Sequence, residues 1–466
     1  MGFNGSLTLL RLGPVPKAKR PHRGGLMIAF IRRLFKDRRG NALAIACAAM
    51  PLIIGCAGLA TDTIEWTLWK RQLQRAADSA ALAGVYDRAQ ATNSATTNTP
   101  NAVCNDLAAN LHTWMNLIGT SPCTGSVGSY SDIQYPADTT YITKQVQVTL
   151  RVQQRLPFSS FFMSTAPTIQ AVATAGTVSY GGSACVEALE TSASSTGITA
   201  SGSAIINMPS CIMYSNSPAS NSAAAGGSST VTALAIATVG GVQQSNNWAV
   251  GSYRPYSPPL SDPFANVNPV QSDMHCTNSA LDDSTDFSSL PAGTNCFNSL
   301  SVGSNRTLNV PANFGPIYIN AVNGNGNVNL QGAFNCDGCT IVMTNSSSSS
   351  TASIGSISSN ASATNTITAP QTGTFAGIAI YQDRRAADCN SCNKVNGGSN
   401  STITGAMYFP SQPLWYNGGN GTTATCTMIV ARRVTFTGNN YFKGLDQCPG
   451  FGPGSTNSVQ MVRLVA

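Results

Sequence analysis

Residues 40–61 read GNALAIACAAMPLIIGCAGLAT and contain no charged side chain. As an α-helix rising ~1.5 Å per residue, this run is about 33 Å long, close to the ~30 Å hydrocarbon core of a bilayer. Pro51 is expected to kink the helix near its centre, and Gly55 and Gly58 would let another helix approach closely. The run therefore predicts a transmembrane helix. A buried helix of a soluble protein is the alternative, although such helices are usually shorter.

The charge on the two sides of this span is asymmetric. Residues 1–39 hold ten of the 26 Lys and Arg residues but one of the 19 acidic residues, whereas Asp62 and Glu65 are the first charged residues after the span. Because the basic excess is confined to one terminal segment and not to a folded face, no nucleic-acid partner is expected. The positive-inside rule predicts a cytoplasmic tail over 1–39 and a single-pass protein of a bacterial inner membrane, with its C-terminal bulk in the periplasm.

Processing of the N-terminal region has several open alternatives. Small residues near Ala57 and Ala60 suit cleavage of a signal peptide, and the sequence IIGC ending at Cys56 resembles a lipobox. Met27 is an alternative start of the chain. Since the residues after Asp62 continue a helical pattern and do not read as a mature N-terminus, we expect the anchor to be kept.

The segment that follows the span predicts a helix on a small sheet. Residues 62–85 are good helix formers without Pro, and Gly84 is a candidate stop, although Val85 and Tyr86 could continue the helix. Strands are predicted over 146–152, where apolar and polar residues alternate, and over 169–178. We therefore expect a small α+β domain over 62–180. The helix carries a stripe of small and apolar residues suited to packing on a sheet: Leu68, Leu73, Ala76, Ala77, Ala80 and Ala81.

This order of landmarks resembles the N-terminal module of TadG-like (TadE/TadG) Flp pilus-assembly proteins. The resemblance covers roughly residues 32–90 and rests on KDRRGN at 36–41, GLATD at 58–62 and RQLQRAADSAALAG at 71–84. It implies a pilin-like α+β domain and a non-enzymatic role in assembling a pilus, through contacts with other pilus-assembly subunits. Ile45 stands where pilin-like members cleaved by a prepilin peptidase carry Glu, so cleavage after Gly40 is not expected.

The pattern changes from Cys185 onward to short apolar clusters separated by Asn, Gly and Ser. They include IYI at 317–319, VNL at 328–330 and TIVM at 340–343, without helical periodicity. They predict a mainly-β domain over 181–466, a right-handed β-helix or other β-solenoid, with a β-sandwich as the alternative. The Pro-rich residues 253–275 predict an extended connector within it.

Fourteen cysteines divide into two in the span, Cys47 and Cys56, and twelve beyond it. An even number in an exported region predicts disulfides formed in an oxidising compartment. The two C-x-x-C pairs leave a four-cysteine zinc site as an alternative. The twelve candidates fall into neighbouring pairs along the chain: Cys104 and Cys123, Cys185 and Cys211, Cys276 and Cys296, Cys336 and Cys339, Cys389 and Cys392, Cys426 and Cys448.

Catalytic chemistry has few candidate residues. The sequence has three histidines, and residues 301–466 contain four Asp and no Glu, so no enzyme and no cofactor are expected. The charged group at 381–385 is expected to be a local ion pair at a loop, with a polysaccharide lyase site as the alternative. The aromatic pairs at 408–409 and 415–416 could line a sugar-binding surface, although aromatic residues in strands more often cap the core of a solenoid. The alternative function is therefore a periplasmic or surface β-helical adhesin that binds glycans.

Overall fold

The predicted order of a long apolar helix followed by a mostly β region is confirmed by the computed structural model. The predicted basic tail over 1–39 lies outside the residues that the structure describes. Those residues are 41–90, 98–111, 117–118, 123, 132–396, 401–417, 426–445, 448 and 458–465.

Two α-helices and 25 strands form within the described residues. The helices are α1 (Asn41–Gln90) and α2 (Thr99–Asn110). The first nine strands are β1 (Asp132–Gln134), β2 (Ile142–Gln153), β3 (Thr168–Ala188), β4 (Ile198–Ala200), β5 (Ile205–Ser215), β6 (Ala223–Ala225), β7 (Thr230–Thr238), β8 (Trp248–Val250) and β9 (Tyr253–Arg254). The next eight are β10 (Leu281–Asp282), β11 (Cys296–Phe297), β12 (Leu300–Val302), β13 (Thr307–Asn309), β14 (Gly315–Asn320), β15 (Val328–Leu330), β16 (Ala333–Asp337) and β17 (Cys339–Thr344). The last eight are β18 (Ile357–Ser359), β19 (Thr364–Thr368), β20 (Ile378–Gln382), β21 (Asn393–Asn396), β22 (Thr402–Asn417), β23 (Thr427–Phe436), β24 (Asn440–Tyr441) and β25 (Ser458–Leu464).

The chain divides into two compact units. One contains Met1–Trp69 and Gln154–Thr168, and its described part is the first portion of α1 with the loop between β2 and β3. The other contains Lys70–Gln153 and Ile169–Ala466, which hold the rest of α1 and the strands.

The second portion of α1 packs on an antiparallel sheet. In this sheet β1 pairs with β2, β2 with β3, and β3 with β25. The predicted stripe is buried from Leu73 to Ala81, as expected for small residues that let a sheet approach closely, whereas Leu68 is exposed. The helix continues past Gly84 to Gln90, so of the two possibilities the sequence left open, Gly84 does not end it. Gly84 instead allows close packing, because a Cβ there would lie 2.9 Å from Val103 Cγ2 and 3.0 Å from Val146 Cγ1.

The remaining strands pair in parallel and form long ladders. The first ladder joins β11, β14, β17, β20, the first parts of β22 and β23, the ends of β3, β5 and β7, and β9. The second joins β10, β12, β15, β18, β21, the second parts of β22 and β23, β4 and β6. A further row joins β13, β16, β19 and the start of β22, and another joins β24, the starts of β5 and β7, and β8.

The order of rungs in these ladders departs from the order of the chain. β23, near the C-terminus, pairs on one side with β22 and on the other with β3 and β4. The rungs from β3 to β9 therefore continue the stack beyond β23, and the chain must return from β9 to reach β10 at the other end.

Of the connector predicted over 253–275, Tyr253–Arg254 form β9, and residues 255–275 make this return as an extended segment with one short 3-10 turn at Gln271–Asp273. Successive residues along it contact successive rungs, from β5 past β22 and β20 toward β11. The contacts are those of Leu260 N with Asn216 Oδ1 (2.9 Å), Tyr408 Oη with Asp262 Oδ2 (2.6 Å), Tyr381 Oη with Val267 O (2.9 Å) and Asn295 Nδ2 with Asp273 O (2.9 Å).

Candidate functional site in the membrane anchor

The first portion of α1 carries a long exposed apolar surface. Nine large apolar side chains between positions 45 and 68 are 48–71% exposed. Leaving such side chains in water forfeits ~1.5–3 kcal/mol each relative to full burial. Within the described residues α1 is the one helix long and apolar enough to cross a membrane, so this surface suits a lipid environment.

A carboxylate at the end of the uncharged run holds a distant loop. Asp62 is 3% exposed, and its Oδ1 accepts a hydrogen bond from the backbone N–H of Phe158 at 3.2 Å. Its Oδ2 accepts from both the backbone N–H and the hydroxyl of Ser159. Because carboxylates make stronger hydrogen bonds than neutral acceptors, these contacts fix the loop to the helix.

The same loop touches the helix one turn earlier. The ring of Phe158 lies against Gly58, where any Cβ would collide with it. Gly58 was predicted to admit another helix, and within this unit of the chain it admits an aromatic ring of the loop instead. Asp62 and Gly58 thus attach the loop to the helix at two points. The family resemblance seen in the sequence did not predict this attachment.

Replacing Asp62 with Ala is expected to release this loop, since three donors lose their acceptor. Limited digestion of the detergent-solubilised chain with chymotrypsin, which cuts after aromatic residues, should then cleave faster within 158–162. Asp78→Ala is the matched control, because Asp78 lies on the same helix and accepts only a local bond from Gln74 Nε2 at 2.8 Å among the bonds described. Equal cleavage rates in wild type and Asp62→Ala would contradict the attachment.

The β region contains a buried carboxylate between two arginines. Glu190 has a side chain that is 1% exposed, and its Oε2 lies 2.6 Å from Arg433 Nη1 and 3.1 Å from Arg432 Nε. Asp388, whose side chain is 37% exposed, lies 2.7 Å from Arg433 Nη2 on the outer side. Burial by itself raises the pKa of Glu190, but hydrogen bonds from the two arginines and from the Ser192 N–H outweigh it and lower the pKa below its ordinary value.

The lowered pKa of Glu190 gives the stability of the β region a defined pH dependence. A lowered folded-state pKa contributes stability above the unfolded value of about 4.3, and this contribution is lost as the pH falls through the folded value. We therefore expect the difference in melting temperature between wild type and Glu190→Ala to be largest near neutral pH and to shrink below about pH 4. Thermal unfolding followed by circular dichroism at a series of pH values measures it, and a difference that grows on acidification would contradict the assignment.

The charged group at 381–385 is a local ion pair, as predicted. Asp383 is 4% exposed, and its Oδ2 lies 2.7 Å from Arg385 Nη2 and accepts a bond from Thr344 Oγ1 at 2.8 Å. Arg384 points instead to Asp262 at 3.5 Å. The two arginines line an open cleft of about 320 Å³ beside the connector. Because the Asp383 carboxylate is bonded on both oxygens, it braces the loop and is poorly placed to act as a base.

The aromatic pairs at 408–409 and 415–416, which the sequence left open between a sugar-binding surface and the core, are mostly in the core. Tyr408 and Phe409 are fully buried and Tyr416 is 5% exposed, so these three lie in the core as the more common arrangement of strand aromatics predicts, and only Trp415 is partly exposed. The reason is the packing of neighbouring rungs: the ring of Tyr408 lies 5.2 Å from that of Tyr381. These aromatics stabilise the ladder rather than present a surface.

The twelve cysteines beyond the span lie in six pairs at disulfide distance, with Cα–Cα separations of 4.1–6.1 Å. The pairs are those of neighbours along the chain, and Cys47 and Cys56 in the apolar run stay unpaired. Nowhere in the described part of the chain do three or more metal-binding side chains converge, so the two C-x-x-C pairs do not come together as one zinc site.

Comparison with known proteins bears on one part of the chain. Neither the curated proteins nor the proteins of known structure include a detectable match to this chain. The N-terminal region matches a family model over the stretch that contains the exposed apolar surface, Gly58 and Asp62. Residues 40–92 of this chain match the Tad family model, described as "Putative Flp pilus-assembly TadE/G-like".

Proposed function

We propose that the chain is a non-enzymatic, membrane-anchored component of Flp/Tad-type pilus assembly that acts through contacts with other subunits. The proposal rests on the overlap between the residues that match the family model and the residues that carry the exposed apolar surface of α1. The Tad domain at 40–92 covers the same residues whose apolar side chains are left exposed on α1. A family of pilus-assembly components, rather than of enzymes, thus matches the part of the chain that is suited to a bilayer and to neighbouring helices.

The charge pattern supports an orientation for this anchor. Ten Lys and Arg residues precede the span, whereas the first charged residues after it are acidic. By the positive-inside rule the tail lies in the cytoplasm of a bacterial cell and the rest of the chain is exported across the inner membrane. The Tad domain itself contains no disulfide candidate, and all twelve paired cysteines lie on the exported side.

The exported β region is a β-solenoid in this proposal. Its support is the set of parallel ladders, in which single strands such as β22 and β23 contribute to two ladders at once, as the bends of a coil do. Five of the six cysteine pairs lie in this region, and disulfides formed in an oxidising periplasm would then link residues within or between neighbouring rungs. An extended, rigid region of this kind suits a protein that works by presenting surface to partners.

Deletion of the gene, followed by electron microscopy of pili, tests the proposed role. We expect loss of pili, restored by the full chain but not by a chain in which residues 40–61 are replaced with a cleavable signal peptide. Unchanged pili in the deletion strain would contradict the role in assembly. Normal pili together with binding of the exported region to a glycan array would identify the alternative, a glycan-binding adhesin.

A further inference from the structure

The loop held by Asp62 is itself an exposed apolar surface. Residues 156–167 read LPFSSFFMSTAP and contain no charged side chain. Phe161 and Phe162 are 83% and 81% exposed, and Met163 next to them is 49% exposed. Adjacent large apolar side chains with this exposure are unusual on a water-facing surface and mark a contact with an apolar partner.

The backbone of the loop is internally hydrogen-bonded around these side chains. The N–H groups of Phe161 and Phe162 donate to Phe158 O and Ser159 O at 3.1 and 3.0 Å, and that of Met163 donates to Ser159 O at 2.9 Å. Entry into an apolar environment is costly for unpaired backbone groups. Because its backbone N–H groups are paired within the turn, this segment can lie at the apolar edge of a bilayer at a lower cost than a loop whose backbone is hydrogen-bonded to water.

The attachment to α1 fixes the level of the loop relative to the span. Asp62 is the first charged residue after the uncharged run, and it binds the backbone at Phe158 and Ser159. The ring of Phe158 reaches back to Gly58, which lies four residues, or about 6 Å, deeper in the run. The aromatic turn is thus held beside the last turn of the span, where the headgroup region begins.

We propose that residues 156–167 form an interfacial anchor whose aromatic side chains insert into the bilayer leaflet on the exported side. The inference rests on the proposed membrane span of α1. Phe and Leu are among the residues that segments lying in the membrane interface bury at the boundary between headgroups and acyl chains, and an uncharged turn tethered at the end of a span is placed to do the same. The anchor gives the chain a second hold on the membrane, near 100 residues after the first.

A fluorophore at position 162 of the full-length chain in lipid vesicles tests the insertion. The thiol-reactive dye NBD is attached to Phe162→Cys in a chain where Cys47 and Cys56 are replaced by Ala. Phe162 is exposed, so the fold should tolerate the change. Tyr256→Cys, at an exposed position of the β region, is the matched control, and dye on the native Cys56 with only Cys47 replaced reports the span. Quenchers are lipids carrying a nitroxide near the headgroup and aqueous iodide.

We expect quenching by the shallow nitroxide and protection from iodide at position 162, and the reverse at position 256. If iodide quenches the dye at position 162 while the nitroxide lipid still quenches the dye on Cys56, the interfacial anchor is overturned and the span is left intact. Protection from both quenchers would also overturn it, because the loop would then be covered by protein. Failure of lipid to quench the dye on Cys56 would refute the span itself, and with it the inference.

Discussion

Replacement of Ile53 and Ile54 with arginine should abolish the membrane association of the chain. Both side chains are about 60% exposed (62% and 58%) near the centre of the apolar run. An arginine at the centre of a transmembrane helix costs ~2.5–3.5 kcal/mol on insertion scales, so two should cost about 5–7 kcal/mol. We expect the variant to be absent from the washed membrane fraction and to be degraded or recovered as unassembled protein.

Two variants separate this effect from a general loss of folding. Ile53→Leu with Ile54→Leu keeps the apolar character and should fractionate as the wild type does. Tyr253→Arg with Tyr256→Arg adds the same charge at exposed positions of the β region and should leave the chain in the membrane. Recovery of the Ile53→Arg, Ile54→Arg variant in the membrane at the wild-type level would mean that this part of α1 does not cross the bilayer.

Replacement of Glu190 with Ala should be the most destabilising single change among the charged residues described. It would leave Arg432 and Arg433 facing a buried cavity without the carboxylate that each contacts. Removing one partner of a buried ion pair costs ~3–5 kcal/mol, which corresponds to roughly 6–20 °C in melting temperature for a region of this size. Because Asp388 still holds Arg433 from outside, the lower part of that range is expected.

Asp388→Ala is the matched control for Glu190→Ala. It removes a carboxylate from the same two arginines, but Asp388 is partly solvated and exposed ion pairs are worth only ~0–1 kcal/mol. Circular dichroism of both variants at neutral pH provides the comparison. If the melting temperature falls as much for Asp388→Ala as for Glu190→Ala, burial of Glu190 does not explain how much its ion pairs with the two arginines contribute to stability.

Features encoded by local sequence were predictable. The absence of charge over 40–61 and the basic residues before it indicate the span without any tertiary information. The helix face from Leu73 to Ala81 and the strand at 146–152 follow from periodicity alone. Disulfides among the twelve cysteines beyond the span were predicted without their connectivity, and the structure brings neighbours along the chain to disulfide distance.

Features that depend on contacts distant in sequence were not predictable. Asp62 and Ser159 are 97 residues apart, and Glu190 and Arg433 are 243 residues apart, so neither pair leaves a local signal. The stacking of β3 and β4 beyond β23 is equally hidden, since short strands of similar composition can stack in any order. For Tyr408 and Phe409 a surface position stayed open beside a core position, because consecutive residues of a strand point to opposite faces, and the structure buries both.

The most direct test of the central claim is the topology of the chain in the cell. Alkaline phosphatase, which is active only when exported, is fused to the C-terminus, an epitope tag is placed at the N-terminus, and spheroplasts are treated with protease. We predict an active, membrane-bound reporter that protease removes and an N-terminal tag that protease leaves intact. An inactive reporter that is protected from protease, or a fusion recovered as freely soluble protein, would contradict a single membrane span with the β region outside the cytoplasm.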